Sequence, residues 1–161
     1  MTEETTRKAM FRWLTGSVMT SIKLLGSRQM KVFTRGMSMV FVNMLNREAG
    51  EPLRDGMDVQ GTLEGFKKLE ISMDQAVDGE VSITDKGETI EVVVKTCSYA
   101  GLCQDLLPAL TGTGEFSEST IPCMRCSNYS AALGLFNKTK WPYRLSQYAP
   151  GARCTGVLKK L

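Results

Sequence analysis

The chain has 161 residues, a formal net charge of +3 and no histidine. A chain of this length fits one domain, residues 1–161, and its mild, well-mixed charge does not favour a nucleic-acid partner. The absence of histidine excludes Ser-His-Asp and Cys-His catalysis and any site for zinc or haem with a histidine ligand. No apolar run is long enough to span a membrane, and the acidic N-terminus does not resemble a secretory signal, so we expect a cytoplasmic protein.

The first half of the domain, residues 1–77, is predicted to be helical. The spacing of apolar residues predicts a short helix over Thr5–Thr15 and a longer one over Ser17–Asn46. Gly26 and Gly36 would mark a break or a close approach between helices. The longer helix carries an apolar stripe that we interpret as core or as the seam of a homodimer, formed by Met30, Phe33, Met37, Val40, Phe41, Met44 and Leu45.

A further amphipathic helix is predicted over Val59–Ala76, with Leu63, Phe66, Leu69, Ile71 and Met73 as its core positions. Residues 78–161 then combine strands with cysteine-bearing helices. Alternating residues and turn signals predict one hairpin over 80–96 and a second over 140–158, with helices over Tyr99–Leu110 and from Pro122 to about Asn137. The expected fold is α+β, with N-terminal helices packed on a four-stranded antiparallel sheet made of two hairpins.

All five cysteines lie in this second half, at positions Cys97, Cys103, Cys123, Cys126 and Cys154. The Cys123-Met-Arg-Cys126 motif would place two sulfurs on one face of a helix. Zinc or an iron–sulfur cluster needs three or four ligands, and the candidate ligands are Cys97, Cys123, Cys126 and Cys154, with Glu118 or Asp105 able to complete a mixed site.

Two other interpretations of the cysteines stay open. Several of them would serve as small buried hydrophobic residues. Alternatively, Arg125 or Arg153, each beside a cysteine, would lower a thiol pKa and produce a reactive thiolate. A thioredoxin-like dithiol is disfavoured, because the motif follows a polar loop and no βαβ unit precedes it.

The C-terminal part resembles a known family in three segments. These are Thr96-Cys97-Ser98-Tyr99 at a strand end, Cys123 and Cys126 ahead of Ser130-Ala-Ala-Leu-Gly134, and the closing Ala149-Pro-Gly-Ala-Arg-Cys154. Over roughly residues 80–161 the pattern resembles the 4-vinyl reductase (hydrocarbon-binding) domain, which shares its fold with the TRAPP vesicle-tethering subunits. The stretch from Asn137 to Cys154 is also similar to small proteins named after L-2-amino-thiazoline-4-carboxylic acid hydrolase.

The resemblance implies a dimeric α+β fold with an apolar-ligand pocket between helices and sheet. We place that pocket near Tyr99, Leu102, Tyr129 and Leu133. Sensor members of the family hold zinc with a cysteine before the small-residue helix and a cysteine in the last hairpin, positions matched here by Cys126 (or Cys123) and Cys154. Tyr143 and Ser146 occupy the family's two middle ligand positions, so Cys123 or Cys97 would have to complete the site.

Three functions follow from these observations. The preferred one is a non-enzymatic module that binds or senses a small apolar molecule and carries a cysteine-based metal or redox site. The second is a thiol- or metal-dependent hydrolase of a small amide or thiazoline, with Cys123 or Cys126 as the catalytic nucleophile. The third is a scaffold-type dimeric subunit that works through its helical face.

Overall fold

The computed structural model describes residues 3–95, 97, 99–101, 103, 104, 111, 112, 114, 116–149 and 152–161. In chain order the helices and strands are α1 (Glu3–Glu48), α2 (Val59–Ser72), β1 (Val81–Asp85), β2 (Thr89–Lys95), α3 (Met124–Ala132), β3 (Tyr143–Gln147) and β4 (Arg153–Lys159). A 3₁₀ turn, Glu118–Thr120, precedes α3, and a π-helical turn, Leu133–Asn137, follows it. The fold is α+β, as the sequence predicts.

The four strands form one antiparallel sheet in the order β1-β2-β4-β3. Each outer strand pairs with its own hairpin partner, and the central pair joins the hairpins with Val92 opposite Gly156 and Val94 opposite Cys154. The first hairpin turns where Gly87, at a φ of +81°, donates its N–H to the Asp85 carboxylate over 2.7 Å. Both predicted hairpins are therefore confirmed, and their pairing places Cys154 and Gly156 in the middle of the sheet.

The predicted N-terminal helices form one long helix, α1, that is interrupted at Gly26. This residue has a φ of 69° and a ψ of 173°, an extended left-handed conformation that breaks the helix into two segments. Gly36 lies within regular helix, and a Cβ placed on it would meet nothing within 4 Å, so it marks neither a break nor a close approach. Among the described residues, no helix combines the length and apolar character that a membrane span requires.

The predicted apolar stripe of α1 divides between two faces of the helix. Met30 and Leu45 are buried, whereas Phe33, Met37, Val40 and Met44 are 40%, 42%, 65% and 46% exposed. The buried face also carries small or polar residues, Thr34, Ser38 and Asn46, and it packs mainly against α3. The stripe is thus only partly core, because several of its large residues lie on the exposed face of α1.

Helix α2 begins as predicted and ends four residues early, at Ser72. The Asp58 carboxylate caps its start by accepting the Gly61 N–H at 2.6 Å, and Asp74 at a φ of 54° follows its end. The predicted core residues Leu63, Phe66 and Leu69 are buried. Phe66 meets Tyr129 of α3 edge to face, with ring centroids 5.1 Å apart.

Candidate thiol site at the start of helix α3

Helix α3 is the central element of the molecule, since it contacts α1, α2, β3 and β4. Seven of its nine residues are buried, among them the polar residues Arg125, Ser127 and Asn128. A helix surrounded in this way has no polar face to present to water, so each of its polar groups needs a partner inside the protein. Both cysteines of the C-x-x-C motif lie at the N-terminal end of this helix.

The two cysteines of the motif occupy different positions from those the sequence predicts. Helix α3 starts at Met124, and Cys123 is its N-cap, with an extended backbone at φ −85° and ψ 115°. The Cys123 carbonyl accepts the first helical hydrogen bond, from the Ser127 N–H at 2.9 Å. The prediction that the helix includes both cysteines from Pro122 onward is therefore wrong by two residues, and Cys123 lies at the positive end of the helix dipole.

Cys126 lies one turn further into the helix and faces the sheet. Its sulfur fills the space beside Gly156 of β4, where a Cβ atom on residue 156 would come within 2.2 Å of it. The side chain is 1% exposed, whereas Cys123 is half-buried. The motif therefore combines one accessible thiol with one thiol that is enclosed between helix and sheet.

A hydrogen bond between the two thiols shifts their pKa values in opposite directions. This bond lowers the pKa of Cys123 to about 7, and the backbone amides of Cys126 and Arg125 and the Arg125 charge act in the same direction. The same bond and burial raise the pKa of Cys126 well above its usual value. Cys126 thus stays protonated, and its S–H donates a hydrogen bond to the Cys123 thiolate. The Cys123 side chain does not form the hydrogen bond that defines an N-cap.

Arg125, between the two cysteines, belongs to a buried ion network. Its Nη1 lies 2.7 Å from the Glu70 carboxylate of α2, and its Nη2 lies 2.8 Å from the Glu80 carboxylate. Nη2 also donates to the Gln75 carbonyl at 3.1 Å, and the guanidinium lies 4.9 Å from the centre of the Tyr99 ring. This network fixes the start of α3 against α2 and β1.

In this network, burial and neighbouring charges shift the pKa values of Glu70 and Arg125 in opposite directions. Burial raises the pKa of Glu70, and the opposing effects of Arg125 and the facing Tyr129 hydroxyl lower it. Burial lowers the pKa of Arg125, but the carboxylates around it outweigh burial and raise that pKa overall. The position of Arg125 between two cysteines predicts an effect on a thiol pKa, but no sequence pattern predicts Glu70 and Glu80 as its partners.

The other three cysteines lie in the same part of the molecule and differ from Cys123 in being neutral thiols. Burial raises the pKa of Cys103 to about 12 and raises those of Cys97 and Cys154, and a thiolate at Cys123 raises all three further. All five are free thiols. Among the described residues, however, no three cysteine or carboxylate side chains are arranged to hold a metal ion.

The predicted metal ligands thus approach one another without forming a metal site in this arrangement, and we derive no chemistry from zinc or an iron–sulfur cluster. Asp105 and the Glu118 side chain lie outside the described residues. In the family's two middle ligand positions, Tyr143 hydrogen-bonds to the Cys123 backbone and Ser146 donates to the Thr155 carbonyl at 3.3 Å. Metal binding stays a prediction.

The four residues predicted to bind an apolar ligand differ in their burial, and one of them lies outside the described residues. Tyr129 and Leu133 are fully buried in the hydrophobic core, and Tyr99 is half-buried beneath Arg125. Leu102 lies outside the described residues, as does most of the helix predicted over Tyr99–Leu110, of which residues 100, 101, 103 and 104 are helical. A ligand would have to displace core packing to reach Tyr129, and its binding there stays a prediction.

The arrangement can carry out thiol chemistry. A half-buried thiol with a pKa of about 7 is partly ionised at neutral pH, and a second thiol lies within hydrogen-bonding reach of it. An accessible nucleophile beside a resolving thiol is the arrangement of a reversible redox pair. The C-x-x-C spacing indicates such a pair, but no local pattern predicts the N-cap position of Cys123 or the glycine that accommodates Cys126.

Comparison with known proteins adds no assignment. No protein-family model matches the chain, and no curated protein matches it. The resemblance to the 4-vinyl reductase domain and to the thiazoline hydrolase-like proteins therefore stays a prediction.

Proposed function

We propose that the protein is a sensing module whose reporter is the Cys123–Cys126 dithiol, which oxidises reversibly to a disulfide. The observation that carries the proposal is the placement of the two thiols, since Cys123 is the half-buried N-cap of α3 and Cys126 is buried one turn further in. The hydrogen bond between the two sulfurs lowers the pKa of Cys123 to about 7 and raises that of Cys126. The opposite shifts give the two thiols different roles. Cys123 is the attacking thiolate, and Cys126 is the resolving thiol.

The oxidant class that fits this pair is a peroxide. The Cys123 thiolate attacks one peroxide oxygen and the O–O bond breaks. The departing hydroxide, or the alkoxide of an organic peroxide, takes up a proton from solvent and leaves as water or as an alcohol. The resulting Cys123 sulfenic acid is then attacked by the Cys126 sulfur, which forms the S–S bond and releases water with the Cys126 proton. The peroxide gains the two electrons that the two thiols lose.

The consequence of oxidation would be structural as well as chemical. Cys126 is enclosed beside Gly156, and Arg125 ties the same helical turn to α2 and β1. A shift of either sulfur toward a covalent bond therefore strains the packing of α3 against the sheet. The changed packing of α3 would transmit oxidation of the dithiol to the rest of the protein. It would also change the binding of a small apolar ligand.

The test is the pH profile of Cys123 alkylation, followed by titration with hydrogen peroxide. Iodoacetamide should modify Cys123 with a rate that rises as pH passes through about 7, because the thiolate is the reactive form above that pKa. Peroxide should then produce a Cys123–Cys126 disulfide, located by peptide mass spectrometry and reversed by a dithiol reductant.

Two serine variants sharpen this experiment. Cys126→Ser should leave a Cys123 sulfenic acid that dimedone traps, whereas Cys154→Ser should still form the disulfide. A Cys123 reactivity midpoint near that of an ordinary thiol, or disulfides that join Cys123 to other partners, would contradict the proposal. A hydrolase would instead lose turnover of a thiazoline or amide substrate in Cys123→Ser with no dependence on peroxide.

A second role, a homodimeric subunit, is favoured by the exposed face of α1. Its apolar residues Phe33, Met37, Val40 and Met44 are spaced by four, three and four, as in the seam between two packed helices. We infer that a second copy of the chain covers this face, since the same spacing is complementary to itself across a two-fold axis.

The oligomeric state tests this second role directly. Light scattering should show a dimer for the unchanged chain and a monomer for Met37→Glu, because a charge at the centre of an apolar seam is not hydrated there. Val77→Glu is the matched control, since Val77 is 73% exposed but lies outside α1. A monomer before any substitution would overturn the dimer while leaving the dithiol proposal unaffected.

A further inference from the structure

A cavity of about 330 Å³ lies between α1, the segment that leads into α3, and the segment that leads into β3. Its lining includes Lys31 and Arg35 of α1, and Lys140 and Arg144 from the chain around the start of β3. Its position differs from the ligand pocket that the sequence predicts, because neither Tyr129 nor Leu133 lines it. The volume lies within the range of small-molecule binding sites.

The charged side chains that line this cavity are all cationic. Its lining includes four cationic side chains and no carboxylate side chain. None of the four forms an ion pair with any other part of the chain that the structure describes, whereas Lys138 and Lys86 elsewhere on the surface pair with Asp55 and Glu91. Cations gathered around one concave space repel one another and raise the local concentration of anions there.

The floor of the cavity is apolar. Ile121, Pro122, Trp141 and Pro142 line it together with Tyr143. The neighbouring serine and threonine hydroxyls already have partners, since Ser130 donates to the Trp141 carbonyl at 2.6 Å and Thr120 donates to the Ser117 carbonyl at 3.2 Å. The charged hydrogen-bond donors that face a ligand are the ammonium and guanidinium groups, and arginine binds phosphate and carboxylate through paired N–H donors.

We propose that this cavity binds a small organic anion with a phosphate or carboxylate head and a compact apolar body of about one ring. The head lies between the α1 cations and Arg144, and the body lies against the Trp141–Tyr143 segment. No cysteine lines the cavity, so a ligand there makes no direct contact with either thiol of the dithiol. Binding can therefore be measured whether or not Cys123 and Cys126 form a disulfide.

Calorimetric titration at low ionic strength tests the proposal with three probes that share a ring: phenyl phosphate, benzoate and benzyl alcohol. Phenyl phosphate or benzoate should bind saturably, and benzyl alcohol should bind at least about ten-fold more weakly, since it lacks the charge. The order of the two anions identifies the head group. Raising the salt concentration should weaken the anions alone, because screening reduces only the charge term.

Single variants locate the site. Arg35→Gln and Arg144→Gln should each weaken phenyl phosphate by roughly ten-fold, and both side chains are exposed, so the fold should persist. Arg54→Gln is the matched control, because Arg54 is exposed and lies outside the cavity lining. No saturable binding of either anion, equal binding of benzyl alcohol, or equal losses in Arg54→Gln would overturn the proposal.

Discussion

Helices α1 and α3 differ in which residue types they bury. Helix α3 encloses Arg125 and Asn128 completely, whereas α1 leaves Phe33, Val40 and Met44 open to solvent. The cause is position, since α3 is surrounded by other elements and α1 covers it from one side only. Burial of a polar side chain and exposure of a large apolar one both cost free energy in a folded protein. Each is therefore informative about function.

The largest effect should follow from removing the charge at the centre of α3. Arg125→Met leaves the carboxylates of Glu70 and Glu80 buried without their cation, which should cost about 3–5 kcal/mol in the free energy of unfolding. Urea denaturation measures this loss. Lys138→Met is the matched control, because the Lys138–Asp55 pair is exposed and should contribute less than about 1 kcal/mol. Equal losses in the two variants would show that the network does not hold α3.

Two glycines should respond oppositely to the same substitution. Gly156→Ala places a methyl group 2.2 Å from the Cys126 sulfur, which should cost about 1–3 kcal/mol because β4 and α3 must separate. Gly36→Ala meets nothing within 4 Å on α1 and should stabilise the protein by about 0.5–1 kcal/mol. Unfolding midpoints in urea compare the two variants directly.

The double variant Gly156→Ala with Cys126→Ala tests the cause of that loss. Removing the sulfur leaves the new methyl group 3.5 Å from the Cβ of residue 126, which is an ordinary contact. The double variant should therefore be less destabilised than the sum of the single ones. Strict additivity would show that the sulfur does not occupy the space beside Gly156.

A smaller effect concerns the reactivity of Cys123. Cys126→Ala removes the hydrogen bond that contributes most to its lowered pKa, so the pH midpoint of alkylation should rise from about 7 toward that of an ordinary thiol. A rise of roughly one pH unit corresponds to about 1.4 kcal/mol. Cys126→Ser is the matched control, because a hydroxyl still donates. An unchanged midpoint in Cys126→Ala would assign the low pKa to the helix end and Arg125 instead.

The sheet could be predicted from the sequence because its signals are local. The alternating residues of the first hairpin and its Asp85-Lys86-Gly87 turn specify pairing between neighbours in the chain. The Arg125 network joins residues of separate elements and leaves no periodic pattern, so it could not be predicted. Likewise, cysteine is not a usual N-cap residue, and nothing local identified Cys123 as the start of α3.

The two faces of α1 show the same limit in another form. Apolar residues occur on both faces of this helix, so the sequence does not indicate which face is buried. The buried face is the one that combines Met30, Val42 and Leu45 with the small Thr34 and Ser38, and α1 contacts mainly α3. Because α3 lies far along the chain, the sequence of α1 alone does not indicate which face α3 covers.

The smallest change in stability should come from substitutions on the exposed face of α1. Serine variants of two valines on that helix, one exposed and one buried, test this. Val40 is 65% exposed and Val42 is 0% exposed. Val42→Ser should cost about 2–4 kcal/mol, because it removes packed methyl groups and buries a hydroxyl. Val40→Ser should change monomer stability by less than about 0.5 kcal/mol, since it touches only solvent in a single chain. In a dimer, the same Val40→Ser variant should lose stability as protein concentration is lowered, because dissociation then contributes to unfolding. Urea titrations at two protein concentrations separate the cases, and an equal response of both valines at low concentration would show that the outer face is packed within one chain.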